Sequence, residues 1–219
     1  MKGLLIKDLR ILKLQIQLML VIVAFTVFGV LSKISPNFIV GYIVILSITI
    51  SVGTISYDKF NNGESFLFAM PFDRKDYVKG KYILSTICLL CSILYSIIFS
   101  VLHAFVSGKG LSDMGGLLIP SLIFIPVGLL SMTLMLPIQI ACDPEKGKYV
   151  RLLLFGGIFA SLYAAMAFFG ISEDSLADRL NAISSIPLPV LIAGLFAVMA
   201  VLCIISYFVS LKIIEKKQF

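Results

Sequence analysis

Few side chains in this sequence are arranged for chemistry. Cys88 and Cys91 form a C-x-x-C pair that could hold a metal or a redox disulfide, but they lie in an apolar segment without a second pair or a nearby histidine. His103, the single histidine, could relay protons, yet it has no acidic partner within sequence reach. Packing is therefore the favoured interpretation of the two cysteines, with a metal or redox site as the alternative. His103 is interpreted as an interface or packed residue, with a proton relay as the alternative.

Motifs for catalysis or nucleotide binding are absent from the sequence. It contains no G-x-x-x-x-G-K-[ST] phosphate loop, no G-x-S-x-G nucleophile elbow and no H-E-x-x-H zinc motif. We therefore expect no catalytic residues, no metal ligands and no cofactor bound by this chain, and we do not expect it to be an enzyme.

A stripe of small residues is the next candidate for function. Ser92, Ser96 and Ser100 recur every four residues and so share one face of a helix. Small residues let helices approach closely in lipid, whereas a row of hydroxyls could line a translocation path. The stripe predicts a packing face or a pathway face, with packing as the default.

The segment 57–81 is the richest in side chains suited to contacts. Its apolar stretch Glu64–Met70 follows turn residues and ends before Pro71, which predicts a short helix. Asp73 can cap the next helix, which runs through Lys81. A short apolar helix in a basic loop must be covered by the bilayer interface or by a partner protein, and its aromatic side chains favour a protein contact.

Composition indicates which solvent surrounds the fold. The 219 residues are 59% hydrophobic and only 14% charged, with a mean hydropathy of +1.06, whereas soluble domains carry about 25% charged residues. Such a chain cannot cover itself with polar surface, so we expect an integral membrane protein in contact with lipids. Its net charge of +6 lies in segments too short to build a basic folded surface, so we expect no nucleic-acid partner.

Apolar blocks of membrane-spanning length recur along the whole chain. About 20 apolar residues cross the hydrocarbon core as a helix, and lipid requires each backbone N–H and C=O to be satisfied within its own segment. We therefore predict an all-α membrane protein with a single transmembrane domain over residues 1–219. The six predicted spans are Leu14–Leu31, Phe38–Ile55, Tyr82–Val106, Met114–Ile140, Leu152–Gly170 and Leu188–Leu211.

Basic residues indicate the orientation of these spans. Of the 18 Lys and Arg residues, 15 lie in the N-terminus, in 57–81, in 141–151 and in the C-terminus, and only 3 lie in the alternate segments. The positive-inside rule therefore places both chain ends in the cytoplasm. No predicted span has a charged residue in its middle, which disfavours an ion-coupled carrier and favours a conduit whose energy comes from elsewhere.

The first 13 residues predict an amphipathic helix. Polar and apolar side chains each recur every three or four positions, so they occupy different faces. We expect this helix to lie in the cytoplasmic membrane interface, and a basic flank that only sets topology is the alternative. The two faces are Lys7, Arg10, Lys13 and Gln17 on the polar side and Leu5, Leu9, Leu12 and Ile16 on the apolar side.

Two segments and the six-span layout resemble a known family. The opening MKGLLIKDLRILK, Met1–Lys13, is similar to an amphipathic connecting helix, and FLFAMPFDRKDYVKGKYI, Phe66–Ile83, is similar to an apolar stretch followed by a proline, a basic pair and a Gly-Lys-Tyr run. Together they resemble a small six-span permease of the ABC-2 type, a subunit of bacterial ABC exporters, similar to peptide-exporter permeases. The resemblance implies a type V exporter-like fold in the bacterial inner, or cytoplasmic, membrane.

The resemblance also implies partners and a mechanism. A second permease subunit, identical or related, and two cytoplasmic ABC ATPase subunits would complete the exporter, with ATP-Mg bound by the ATPases and a peptide, lipid or drug as cargo. A coupling helix at Glu64–Tyr77 would dock on the ATPase. The alternatives are an ATP-independent secondary transporter and a membrane scaffold or sensor subunit. The implied ATPase-coupling residues are Glu64, Phe66, Phe68, Met70, Pro71, Phe72, Asp73, Arg74, Lys75 and Tyr77.

Overall fold

Helices make up the part of the chain that can be described. A computed structural model describes residues 2–32, 36–60, 63–69, 73–106, 114–143, 146–147, 149–150, 153 and 188–217, and no strand occurs among them. Seven helices can be delimited within these residues. They are α1 (Lys2–Leu14), α2 (Ile16–Leu31), α3 (Pro36–Lys59), α4 (Gly63–Phe68), α5 (Arg74–Val106), α6 (Met114–Ala141) and α7 (Leu188–Lys216).

Several of these helices have the length and apolarity of membrane spans. Four qualify alone, and α1 and α2, which meet at an angle of 58° at Gln15, qualify together as one broken span. The predicted first, second, third, fourth and sixth spans coincide with α2, α3, α5, α6 and α7. Apart from Leu153, the predicted span at Leu152–Gly170 lies outside the described residues, so the total of six spans stays a prediction. The four helices that qualify alone are Pro36–Lys59, Arg74–Val106, Phe124–Ala141 and Gly194–Lys216.

The centre of the bundle is built around α3. Its residues Val44, Ile48, Val52 and Ile55 recur at helical spacing, and all four side chains are completely buried. Gly128 of α6 faces this stripe, because a Cβ at Gly128 would come within 2.9 Å of Val44 Cγ1. The glycine therefore lets α6 approach α3 more closely than a residue with a side chain would allow.

The outward face of α5 indicates that lipid surrounds the bundle. Ile87, Leu90, Leu94, Ile98 and Leu102 recur every three or four residues and are 43–63% exposed. The three serines of the predicted stripe lie on the opposite, buried side of the same helix. An apolar outer face with hydroxyls inside is the reverse of the pattern expected in water, and it fits a helix in contact with hydrocarbon.

Hydroxyl pairs join neighbouring helices inside this apolar bundle. The Tyr82 hydroxyl of α5 lies 2.7 Å from Ser206 Oγ and 3.0 Å from Ser210 Oγ of α7. Ser51 of α3 and Ser85 of α5 pair at 2.8 Å. Hydroxyls in lipid have few other partners, so such pairs select which helix faces meet.

Both ends of the described chain lie at one end of the bundle, which we call the base. Lys7 of α1 donates to Asp58 at the end of α3 over 2.6 Å. Lys217, directly after α7, donates to Glu64 of α4 over 2.7 Å. The two termini therefore share a side, as the basic residues predicted. That this side is the cytoplasm stays a prediction.

Candidate functional site

The short helix α4 presents one aromatic ring to the outside of the base. Glu64 and Leu67, three residues apart, face inward and are buried, whereas Phe66 points away and is 70% exposed. Phe68 is half-buried: its ring packs edge-on against Tyr77 at a centroid distance of 5.3 Å. The aromatic residues that were predicted together to contact a partner therefore differ in position. Phe66 lies on the surface, and Phe68 packs against the rest of the chain.

The start of α5 lies at the predicted position. The helix begins at Arg74, directly after Asp73, whose carbonyl accepts the backbone N–H groups of Asp76 and Tyr77. Asp73 and Lys75 are exposed. The other predicted coupling residues of this segment, Met70, Pro71 and Phe72, lie outside the described residues.

Cationic contacts tie the α4 segment to the end of α7. Lys217 donates to Glu64 Oε2 of α4 over 2.7 Å. Arg74, the first residue of α5, donates through Nη1 to the carbonyls of Ile214, Glu215 and Lys217 at 3.1–3.2 Å. The last carbonyls of a helix lack intrahelical partners and carry partial negative charge, so a guanidinium there satisfies them and favours the helix end.

Lys59 makes an equivalent contact with the end of α6. Its Nζ donates to the carbonyls of Gln139, Ile140 and Cys142 at 2.6–2.9 Å. Lys59 is the last residue of α3 and stands shortly before α4. The cation at the end of α3 therefore caps the end of α6, as Arg74 caps the end of α7.

Beneath α4 lies a buried ion cluster formed by Lys7, Asp8, Asp58 and Lys81. Lys81 of α5 is only 1% exposed, and its Nζ lies 2.8 Å from Asp8 Oδ1 and 2.7 Å from Asp58 Oδ2. Lys7 lies 2.6 Å from Asp58 Oδ1. Two cations and two carboxylates cancel, and this neutrality allows Asp8, Asp58 and Lys81 to leave water, whereas the Lys7 side chain stays 31% exposed.

Sequence reasoning missed this cluster. It counted Asp58 and Lys81 within the segment 57–81 and assigned neither of them a partner. The helix predicted after Asp73 does run through Lys81, and α3 continues through Lys59. Helical continuation brings the two charges to face each other inside the base. One signal was available: Tyr77 and Lys81 stand four residues apart, so they share a helix face that points inward.

Tyr77 connects the ion cluster to α4. Its side chain is 2% exposed, its hydroxyl donates to Asp58 Oδ2 over 3.1 Å, and Lys81 Nζ lies 5.3 Å from its ring centroid. The same ring packs against Phe68. Tyr77 and Glu64, both named as coupling residues from the sequence, thus lie behind the outer surface, whereas Phe66 forms part of it.

Comparison with known protein families decides the class of this molecule. The family described as ABC-2 family transporter protein matches residues 3–215, nearly the whole chain. The chain belongs to this ABC-2 transporter family. Searches among curated proteins and among solved structures each gave no match. ABC-2 permeases are membrane transport components that generally work with ABC ATPase partners, which agrees with the apolar helices found here.

The serine stripe of this ABC-2 permease is packed inside the bundle. The hydroxyls of Ser92, Ser96 and Ser100 are buried and donate to carbonyls of their own helix at 2.7–2.9 Å. A groove of about 400 Å³ opens between α5, α6 and α7, and none of the three serines is among its described lining residues. These contacts favour the packing interpretation, and a pathway role stays a prediction.

The residues considered for metal or redox chemistry do not converge in the described part of the permease. Cys88 and Cys91 are both free thiols on α5, and Cys91 is exposed. Among the described residues no group of three histidine, cysteine or acidic side chains could hold a metal ion. His103 packs beside Phe99, with a centroid distance of 6.0 Å.

Proposed function

We propose that this chain is the membrane-spanning permease of an ATP-driven exporter, which moves a peptide, lipid or drug and draws its energy from separate cytoplasmic ATPase subunits. The main observation behind the proposal is the exposed ring of Phe66 on helix α4, which contacts of Glu64 and Phe68 hold in place. Membership of the ABC-2 family supports the assignment to an ABC transporter.

The exposure of Phe66 supports a protein contact at the base. A large aromatic side chain in a charged, polar region is a characteristic anchor of protein interfaces. Exposed Asp73 and Lys75 supply polar groups near the same segment. We assign these three residues, together with Met70, Pro71 and Phe72, to the surface that an ATPase subunit covers.

The contacts behind α4 support its use as a rigid element that transmits the motion of a docked ATPase. A helix of six residues is not stable alone, because nucleation costs more than so few hydrogen bonds return. Here Glu64, Leu67 and Phe68 fix it against the bundle. A push on Phe66 would therefore be transmitted through Glu64 to Lys217 at the end of α7 and through Phe68 to Tyr77 of α5, rather than bend α4.

The remaining features of the proposed exporter follow the sequence and the family. We propose six spans, both termini in the cytoplasm of a bacterial cell, and a second permease subunit that completes the translocation path. ATP-Mg binds only in the partner ATPase, and this chain contributes the path and the docking surface.

Replacing Phe66 with aspartate tests the docking assignment. A hot-spot residue contributes about 2 kcal/mol or more, so Phe66→Asp should weaken ATPase binding at least about thirtyfold. The measurement is the amount of ATP-hydrolysing subunit that co-purifies from native membranes, with membrane insertion checked by surface labelling. Tyr149→Asp is the matched control, because Tyr149 is equally exposed, at 70%, on a different segment.

Two results would reject the proposal. If Phe66→Asp retains the ATPase at the level of the unmodified chain, α4 is not the docking element. If the purified chain in liposomes moves solutes under an ion gradient without nucleotide, transport does not depend on an ATPase, and the secondary-transporter alternative gains support.

A further inference from the structure

The outward face of α1 carries basic and aliphatic residues together. Ile6 and Leu14 are 53% and 71% exposed, and Leu9 is also exposed. Arg10 and Lys13 are exposed between them. On a helical projection these five residues fall within an arc of about 140°.

The only acidic residue of α1, Asp8, lies on the inward face of the helix. Asp8 is buried and pairs with Lys81 at 2.8 Å and with Lys7 at 3.4 Å. Within the part of the chain that the structure describes, neither Arg10 nor Lys13 forms an ion pair. The ion cluster therefore leaves the outer face of α1 with two uncompensated positive charges and no carboxylate.

This face continues into surface that faces lipid. At Gln15 the chain turns by 58° into α2, where Leu18, Leu20 and Val21 are exposed apolar residues of a helix in a membrane protein. Because α1 turns away from the direction of α2 at this point, the interfacial position that the sequence predicts for α1 would bring its outer face to the boundary between hydrocarbon and headgroups. Basic side chains at that depth extend their charges toward the headgroups while their stems remain in apolar surroundings.

We propose that Arg10 and Lys13 on the outward face of α1 form a binding site for the headgroups of anionic phospholipids. Charge complementarity selects anionic over zwitterionic lipid, and Ile6, Leu9 and Leu14 contact the upper acyl chains. The aliphatic residues and the continuity with α2 favour lipid over an acidic protein surface as the occupant. The proposal depends on the membrane location of the chain and not on ATPase docking, so either can fail without the other.

The absence of tryptophan from the chain makes a direct measurement possible. Ile6→Trp places a single fluorophore on the α1 face of the full-length protein in liposomes. Quenching by brominated phosphatidylglycerol is compared with quenching by brominated phosphatidylcholine. Leu94→Trp, on the exposed face of α5, reports a site without basic neighbours on its own helix face and should show no preference between the two lipids.

The expected result is a preference for phosphatidylglycerol at Ile6→Trp. Each basic residue near an anionic surface strengthens binding about fivefold, so two residues give a preference of up to about 25-fold, which high salt should reduce. Adding Arg10→Gln and Lys13→Gln in the same background should abolish the preference. Adding Lys146→Gln and Lys216→Gln, which removes two exposed charges elsewhere in the chain, should leave it unchanged.

Three outcomes would overturn the proposal. Equal quenching by the two lipids at Ile6→Trp would show that the face does not select charge. A preference that survives Arg10→Gln with Lys13→Gln would show that other residues produce it. Absence of quenching by either lipid would show that protein or water, and not lipid, covers this face.

Discussion

Lys81 is the residue whose loss should disturb the base most. It contributes one of the two cations of the buried ion cluster and contacts both carboxylates, at 2.8 Å and 2.7 Å. Replacing it with methionine keeps the apolar stem and removes the charge. Asp8 and Asp58 would then share one cation, Lys7, and the cluster would carry a net negative charge away from water.

The cost of this change follows from the burial of the pair. Removing one partner of a buried ion pair costs about 3–5 kcal/mol, because the remaining charge stays desolvated. Solvent screening does not reduce this figure, since Lys81 is only 1% exposed. Lys7 remains within 3.4 Å of Asp8 and 2.6 Å of Asp58, so we expect a loss near the lower limit, about 3 kcal/mol.

A double-mutant cycle separates charge balance from packing. Asp8→Asn combined with Lys81→Met restores neutrality and leaves the Lys7–Asp58 pair intact. The double variant should therefore be more stable than the sum of the single losses predicts, by about 2 kcal/mol of coupling energy. The free energy of unfolding is measured by SDS titration in mixed micelles, followed by far-ultraviolet circular dichroism.

Lys75→Met provides the control on the same helix. Lys75 is 69% exposed and stands 4.0 Å from Glu215, and a pair of this kind contributes at most about 1 kcal/mol and often much less. A loss below about 1 kcal/mol for Lys81→Met, or a coupling energy near zero, would refute the reasoning that the cluster is desolvated and charge-matched.

Three further substitutions test the packing and the helix ends. Gly128→Leu should destabilise the bundle by about 1–3 kcal/mol through overpacking. Gly194→Ala should not, because no heavy atom of the described residues lies within 4 Å of the added Cβ. Equal unfolding midpoints for the two would contradict the packing of α6. Tyr82→Phe should cost about 0.6–1.7 kcal/mol through lost hydrogen bonds to α7, and no change in unfolding free energy would argue against those bonds. Lys59→Met should cost about 1–2 kcal/mol at the end of α6, measured by the same titration, and a neutral result would show that water caps that end equally well.

The span pattern was predictable because lipid leaves the backbone one local solution. A run of about 20 apolar residues must satisfy its own hydrogen bonds, and only a helix does so within one segment. The predicted spans Phe38–Ile55 and Tyr82–Val106 both lie within observed helices, α3 and α5. The start of α5 directly after Asp73 was predictable for a similar reason, because the signals that begin a helix lie in the residues next to its first turn.

The division of the aromatic residues was not predictable. Phe66 and Phe68 are two positions apart on a helix, so their side chains point in nearly opposite directions. The sequence indicates that one of them faces outward and does not say which. Contact between Phe68 and Tyr77 of α5 decides the question, and the sequence does not record that contact.

The sequence by itself determined that this is a helical membrane protein with both ends on one side, because hydrophobic length and the distribution of basic residues are properties of the chain read segment by segment. Only the tertiary structure decided which charged residues are buried and which residues they pair with. Lys81 and Asp8 are separated by 73 residues, and they become partners because three helices close around them. Topology rules count such a charge as solvated, but it can be buried when an oppositely charged residue from a distant part of the chain pairs with it. A local sequence pattern does not show that pairing.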